Sequence, residues 1–123
     1  MSWFAELVGE FGRSAGIDSL RPGDDGAVQF AFANGDVLFF EEGRDELLVY
    51  LLREIPAHEP EIKLRALALC SPERPWPWPV QAGLRGADRL LFLLRLPRRE
   101  ASLSSLEKAL DTLLRLHQAT RAR

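Results

Sequence analysis

From Trp3 to about Ser14 the apolar positions Phe4, Leu7, Val8 and Phe11 recur at helical spacing, the stripe of an amphipathic helix. Ser2 is placed to cap it and Gly16 to end it. Trp3 lies off the stripe, beside Leu7 one turn on, and either packs elsewhere or stays open to a partner. Ile17 to Asp25 reads as a polar loop turning at Pro22-Gly23, and the period then drops to two. Asn34-Gly35 stands between runs rich in Val, Phe and Leu, a strong hairpin signal because a type I′ turn needs positive φ at both central residues. With those two as the loop, Ala33 faces Asp36 and the ladder runs back through Phe32–Val37, Ala31–Leu38, Phe30–Phe39 and Gln29–Phe40. One face then carries Val28, Phe30, Phe32, Val37 and Phe39 and reads as core. The other carries Ala27, Gln29, Ala31, Ala33, Asp36, Leu38 and Phe40, half apolar and half polar. A turn at Glu42-Gly43-Arg44-Asp45 leads into a third strand, Glu46 to Leu52, completing an antiparallel meander.

Glu59, Pro60 and Glu61 form the first turn of a second helix, with acid at its positive end and Pro where it is tolerated. Its body, Ile62 to Cys70, leaves only Lys63 and Arg65 polar, so it is buried on more than one side. One side can face its own sheet; the other, with Ile62, Leu64, Leu67 and Ala68, is expected to face a second subunit. The prolines at 72, 75, 77 and 79 then exclude regular helix. Trp76 and Trp78 alternate with them, as packed parts of a stiff connector or as an exposed aromatic site. Gln81 to Leu84 and Asp88 to Leu96 form another hairpin around Arg85-Gly86-Ala87, and Leu90 to Leu94, apolar on both faces, reads as a central or covered strand. Ser104 and Glu107 have capping-box spacing, and Leu103, Leu106, Leu110, Leu113 and His117 form the stripe of a last helix. The order α-β-β-β-α-β-β-α defines an α+β domain, a twisted antiparallel sheet with helices packed on it.

Composition narrows the class. At 123 residues the chain, 1–123, reads as one domain with room for a single core. No apolar run approaches the roughly 20 residues of a membrane span, and the acidic N-terminus lacks a signal peptide's basic region. A lone cysteine, Cys70, fits a reducing cytoplasm, and a net charge of −2 offers no field for nucleic acid. The basic clusters, Arg98-Arg99 and Arg121 to Arg123, lack interleaved aromatics for base stacking. His58 and His117 have no metal-ligand spacing or triad partners, and His117 lies in an apolar stripe. Cys70 on an apolar helix reads as a core thiol. No catalytic residue, metal ligand or cofactor site emerges, and the protein is expected not to be an enzyme.

From Trp3 to about His117 the chain resembles the class I chaperones of bacterial type III secretion, the Tir-chaperone-like family. FGRSAGIDSLRPGDDGAVQFAF is similar to that family's first helix, acid-glycine turn and first strand. ANGDVLFFEEGRDELLVYLLREIP is similar to its next two strands, and Leu96-Pro97 to a short phrase before its C-terminal helix. The resemblance implies a small cytoplasmic homodimer that binds the non-globular N-terminal segment of a secreted effector, with neither ATP nor metal. The candidate effector-binding residues are Trp3, Phe4, Leu7 and Phe11 on the first helix and Ala31, Leu38 and Phe40 on the outer sheet face, accepting a strand and its apolar side chains.

Two other classes fit the same elements. A regulatory or scaffolding module of this fold would bind a folded partner and show a polar outer sheet. A small-molecule or catalytic domain would need a concave pocket with convergent polar groups, for which the sequence offers no constellation.

Overall fold

The computed structural model describes residues 2–17, 23 and 25–121. Along them run α1 (Trp3–Ser14), β1 (Ala27–Ala31), β2 (Val37–Gly43), β3 (Glu46–Glu54), α2 (Pro60–Leu69), β4 (Val80–Leu84), β5 (Arg89–Pro97) and α3 (Leu103–Ala119). The α+β order read from the sequence is the observed one. Part of the expected Pro22-Gly23 turn, and the end of the basic run at 121–123, lie outside the described residues.

The helix ends follow from local chemistry. The Ser2 hydroxyl accepts the Ala5 N–H at 3.1 Å. At the other end of α1, Gly16 adopts φ 78°. Its N–H donates to the Arg13 carbonyl while Ile17 N–H donates to that of Gly12, a Schellman closure that needs the left-handed residue. For α3 the cap is Ser102, not Ser104: Ser102 is extended, and its hydroxyl accepts the Ser105 N–H at 3.1 Å. Glu107, freed from capping, accepts the Ser14 hydroxyl of α1 at 3.2 Å.

The strands form one antiparallel sheet in the order β1-β2-β3-β5-β4. β5 lies between β3 and β4, which accounts for its apolar residues on both faces. α3 lies against β3 and β5, with α1 beside it and α2 packed on α3 and β4. The interior joins Phe4, Val8 and Phe11 of α1 to Phe40, Val49, Leu51 and Phe92 of the sheet and Leu106, Leu113 and Leu116 of α3. Each such side chain stabilises the fold by about 1.5–3 kcal/mol.

The β1–β2 hairpin differs from the sequence reading by one residue. Ala31 pairs with Val37, Phe30 with Leu38, Gln29 with Phe39 and Val28 with Phe40. The loop is Ala33-Asn34-Gly35: Phe32 N–H donates to the Asp36 carbonyl at 2.8 Å, Gly35 N–H returns to that of Phe32, and Gly35 sits at φ 95°. This is a three-residue turn with a glycine bulge rather than a type I′ turn. A slip of one residue exchanges the two faces of β2. Leu38 and Phe40 therefore point to the helices, and Val37 and Phe39 to the opposite side.

Candidate interaction surfaces

Four of the residues expected to contact a partner come together inside the protein. Phe4, Leu38 and Phe40 are no more than 2% exposed and Phe11 is 4% exposed. The Phe11 ring meets Phe40 edge-on at 5.1 Å. Their placement on an open surface is thus corrected: α1 covers this face of the sheet as core. Trp3 and Leu7 remain half-buried. They line a cleft of about 520 Å³ with Glu6, Glu10, Arg13 and Leu103. The Arg98 guanidinium lies 5.0 Å over the Trp3 ring.

Ala31 is exposed, on the edge strand β1. Because Phe32 N–H donates toward Asp36 across the hairpin, backbone alternation turns the amide and carbonyl of Gln29 and Ala31 away from β2. No strand among the described residues lies beyond β1, so those groups present a template for a further strand.

The outer sheet face carries Val37 and Phe39 from β2, Leu48, Tyr50 and Leu52 from β3, and Leu91 and Leu93 from β5. No helix among the described residues packs on it. At its β1 side the Phe39 and Tyr50 rings stack in parallel, 4.7 Å between centroids and 8° between planes. They floor a cleft of about 510 Å³ bordered by Asp25, Gln29, Glu41 and Arg85. The Arg85 guanidinium stands 5.6 Å over Phe39, and Tyr50 hydroxyl donates to Glu41 Oε2 at 3.0 Å. Burial, then the Glu41 hydrogen bond and charge, push the Tyr50 phenol up to about 12. This cleft is visible only with the observed register, which brings Gln29, Phe39 and Tyr50 into one row.

On α2 the expected second-subunit face divides. Ile62 is core at 3% exposure, whereas Leu64 and Leu67 are 64% and 66% exposed and Ala68 is also open. Leu67 and the exposed Leu84 of β4 border an apolar groove of about 280 Å³. The proline-rich strap after α2 packs as a connector. Trp76 Nε1 donates to the Leu69 carbonyl at 2.9 Å, closing the helix C-terminus. Trp78 is buried, and its Nε1 donates to Glu100 at 3.1 Å.

The remaining polar groups inside are structural. Asp36 is buried and takes two nitrogens of Arg53, the shorter contact 2.7 Å, while Asn34 Nδ2 donates to it. Burial alone would raise its carboxyl, but the Arg53 hydrogen bonds and charge, with Asn34, hold it below the usual value. His117 is fully buried against Phe92, with Nε2 2.8 Å from the Leu51 carbonyl and Nδ1 without a partner. Desolvation pushes its imidazole down to about 4, against the Leu51 bond. Burial also pushes the Cys70 thiol up, the reverse of an activated thiolate. Among the described residues no three His, Cys, Asp or Glu side chains gather as a metal site, and no helix is long and apolar enough to cross a membrane.

The architecture is that of the type III secretion chaperones. The Yersinia pestis chaperone SycH, solved with a fragment of YscM2, superposes with a TM-score of 0.71 at 14% identity, covering 94% of this chain and 98% of SycH. The SchA–HopA1 chaperone–effector complex gives 0.71 at 21% identity, covering 95% and 92% of the two chains. The sequence model of the type III secretory system chaperone SycN matches residues 3–120, and the chain belongs to that family. It is similar to the chaperone protein SycN of Yersinia enterocolitica, 28% identical over 119 residues that cover 96% of each chain.

Proposed function

We propose that this type III secretion chaperone works in the bacterial cytoplasm, without catalysis or cofactor, by holding the non-globular N-terminal segment of a secreted effector on a dimer of two copies. The open edge of β1 carries the reading, because Gln29 and Ala31 offer main-chain groups to an added strand. Trp3, Leu7 and Ala31 are the members of the expected contact set that such a segment can reach. Leu64, Leu67 and Ala68 are the corresponding members for the second copy. The partly open Val37, Leu48, Leu91 and Leu93 of the outer sheet favour a cargo segment over a scaffolding module, which calls for a polar face.

Ala31→Pro tests the edge. It removes an outward N–H that the β1–β2 ladder does not use, and proline is tolerated on edge strands. The variant should keep the circular dichroism of the parent while losing the effector that the parent co-purifies through its N-terminal segment. Undiminished retention by Ala31→Pro would refute augmentation at β1. Light scattering tests the dimer: the parent should run as two copies at micromolar concentration and Leu67→Glu as a folded monomer. A monomeric parent refutes that part.

A further inference from the structure

We propose that Phe30 and Phe32 anchor an apolar side chain of a short extended segment added at β1, and that the edge stops that segment at Ala27. The inference rests on the reading of β1 as a strand-adding edge, and names what the added strand must carry. Both phenylalanines read as core in the sequence, yet they are only half-buried. Phe30 pairs with the buried Leu38, so it projects on the helix side of the sheet. Further in on that side Phe40 and Phe92 are closed. The Phe32 ring meets Phe30 edge-on, 4.9 Å between centroids and 87° between planes. The pair therefore makes a corner at the sheet edge rather than a flat patch.

The backbone beside this corner limits what can be added. The residues of β1 whose main-chain groups turn away from β2 are Ala27, Gln29 and Ala31. Ala27 is already taken. Its carbonyl accepts the Gly23 N–H at 2.8 Å, and its own N–H donates to Asp25 Oδ1 at 3.0 Å. The chain thus completes its own ladder there, and Gly23 stands where a longer strand would have to continue. Gln29 and Ala31 are left for an incoming strand. An antiparallel strand bonded to both sets the residue between its bonding positions beside Phe30, about 5 Å away and on the helix side. The next residue on that side, beyond Ala31, comes beside Phe32. A polar side chain in the corner would give up water against the rings without a hydrogen bond in return. The other side of the strand meets only the exposed Gln29 and Ala31, so its residues are free to vary.

The full chain is titrated with an acetylated, amidated pentapeptide of threonine with valine at its second and fourth positions. The all-threonine pentapeptide, of the same branched shape, is the control. The valine peptide should move the Gln29 and Ala31 amide signals and the Phe30 and Phe32 ring signals saturably. It should bind about tenfold tighter than the control, the difference that burying one valine supplies. Phe30→Ala should remove that preference while the amides still respond. The Ala27 amide should exchange slowly with solvent in the parent, quickly in Asp25→Ala, and slowly again in Asp25→Asn, which keeps an acceptor. Equal affinity for the two peptides, or a preference that survives Phe30→Ala, overturns the anchor. So does a parent whose Gln29 and Ala31 amides respond to neither peptide, and a fast Ala27 amide in the parent overturns the stop. Equal affinity with responding amides would leave strand addition itself standing, and cargo retention by Ala31→Pro is read separately.

Discussion

Acid should loosen this protein through one histidine. His117 is closed in by α3, the Leu51 carbonyl and the Phe92 ring, and its neutral form is favoured. In the unfolded chain the ring protonates near 6.5, in the folded protein only at about 4. Between those values the unfolded state holds the extra proton, so stability falls as pH falls. Each pKa unit is worth about 1.36 kcal/mol, so the loss grows from nothing above pH 7 to about 2 kcal/mol at pH 5 and about 3 kcal/mol near pH 4. Against a typical total of about 5–15 kcal/mol that is a large share. Asp36, held below its ordinary value, adds its own loss only further down, as pH falls below the ordinary carboxylate value and through its depressed one. Urea unfolding followed by circular dichroism at fixed protein concentration, from pH 7.5 to 5, measures the slope. His117→Gln is the comparison, because a glutamine amide can donate to the Leu51 carbonyl but does not titrate. Its stability should be nearly flat over that range. An equal slope in parent and variant, or a His117 resonance titrating near 6.5, would refute the assignment.

Phe40→Ala should cost about 3–5 kcal/mol, because it empties a closed interior site facing Phe11, and the loss is read as a lowered melting temperature. A fall of less than about 1 kcal/mol, within the range of ordinary surface changes, would return Phe40 to the surface. The phenol of Tyr50 should ionise at about 12, seen as absorbance in alkaline titration, with Glu41→Gln lowering the midpoint while burial keeps it above the ordinary value. A parent midpoint at 10 would show that neither the burial of the ring nor the Glu41 contact holds.

Element order was legible because each element carries its own period: the α1 stripe, the alternation of β1 and β2, the leucines of α3. The register of β1 against β2 was not. Asn34-Gly35 is compatible with loops of two or three residues, and the choice goes with Asp36, whose carboxylate is tied to Arg53 across the sheet. That pair joins residues 17 positions apart, beyond any local pattern. The single-residue difference then misplaced Leu38 and Phe40 together and hid the Phe39–Tyr50 stack. The apolar excess of α2 was legible too. A helix with two polar positions in nine residues has more apolar surface than one sheet can cover, and Leu64 and Leu67 are what is left over. Ile62 was misassigned because periodicity alone does not say which side of such a helix meets its own sheet.

The proline-tryptophan strap has a consequence for the association proposed for α2. Trp76 fastens it to the last turn of α2 and Trp78 to the turn before α3, so the helix and its exposed leucines are held in place before any second chain arrives. The disorder that a mobile helix would surrender on association has already been given up during folding, and less free energy is spent at the encounter. Loosening the strap would then weaken the association proposed for this face without touching a single atom of the contact.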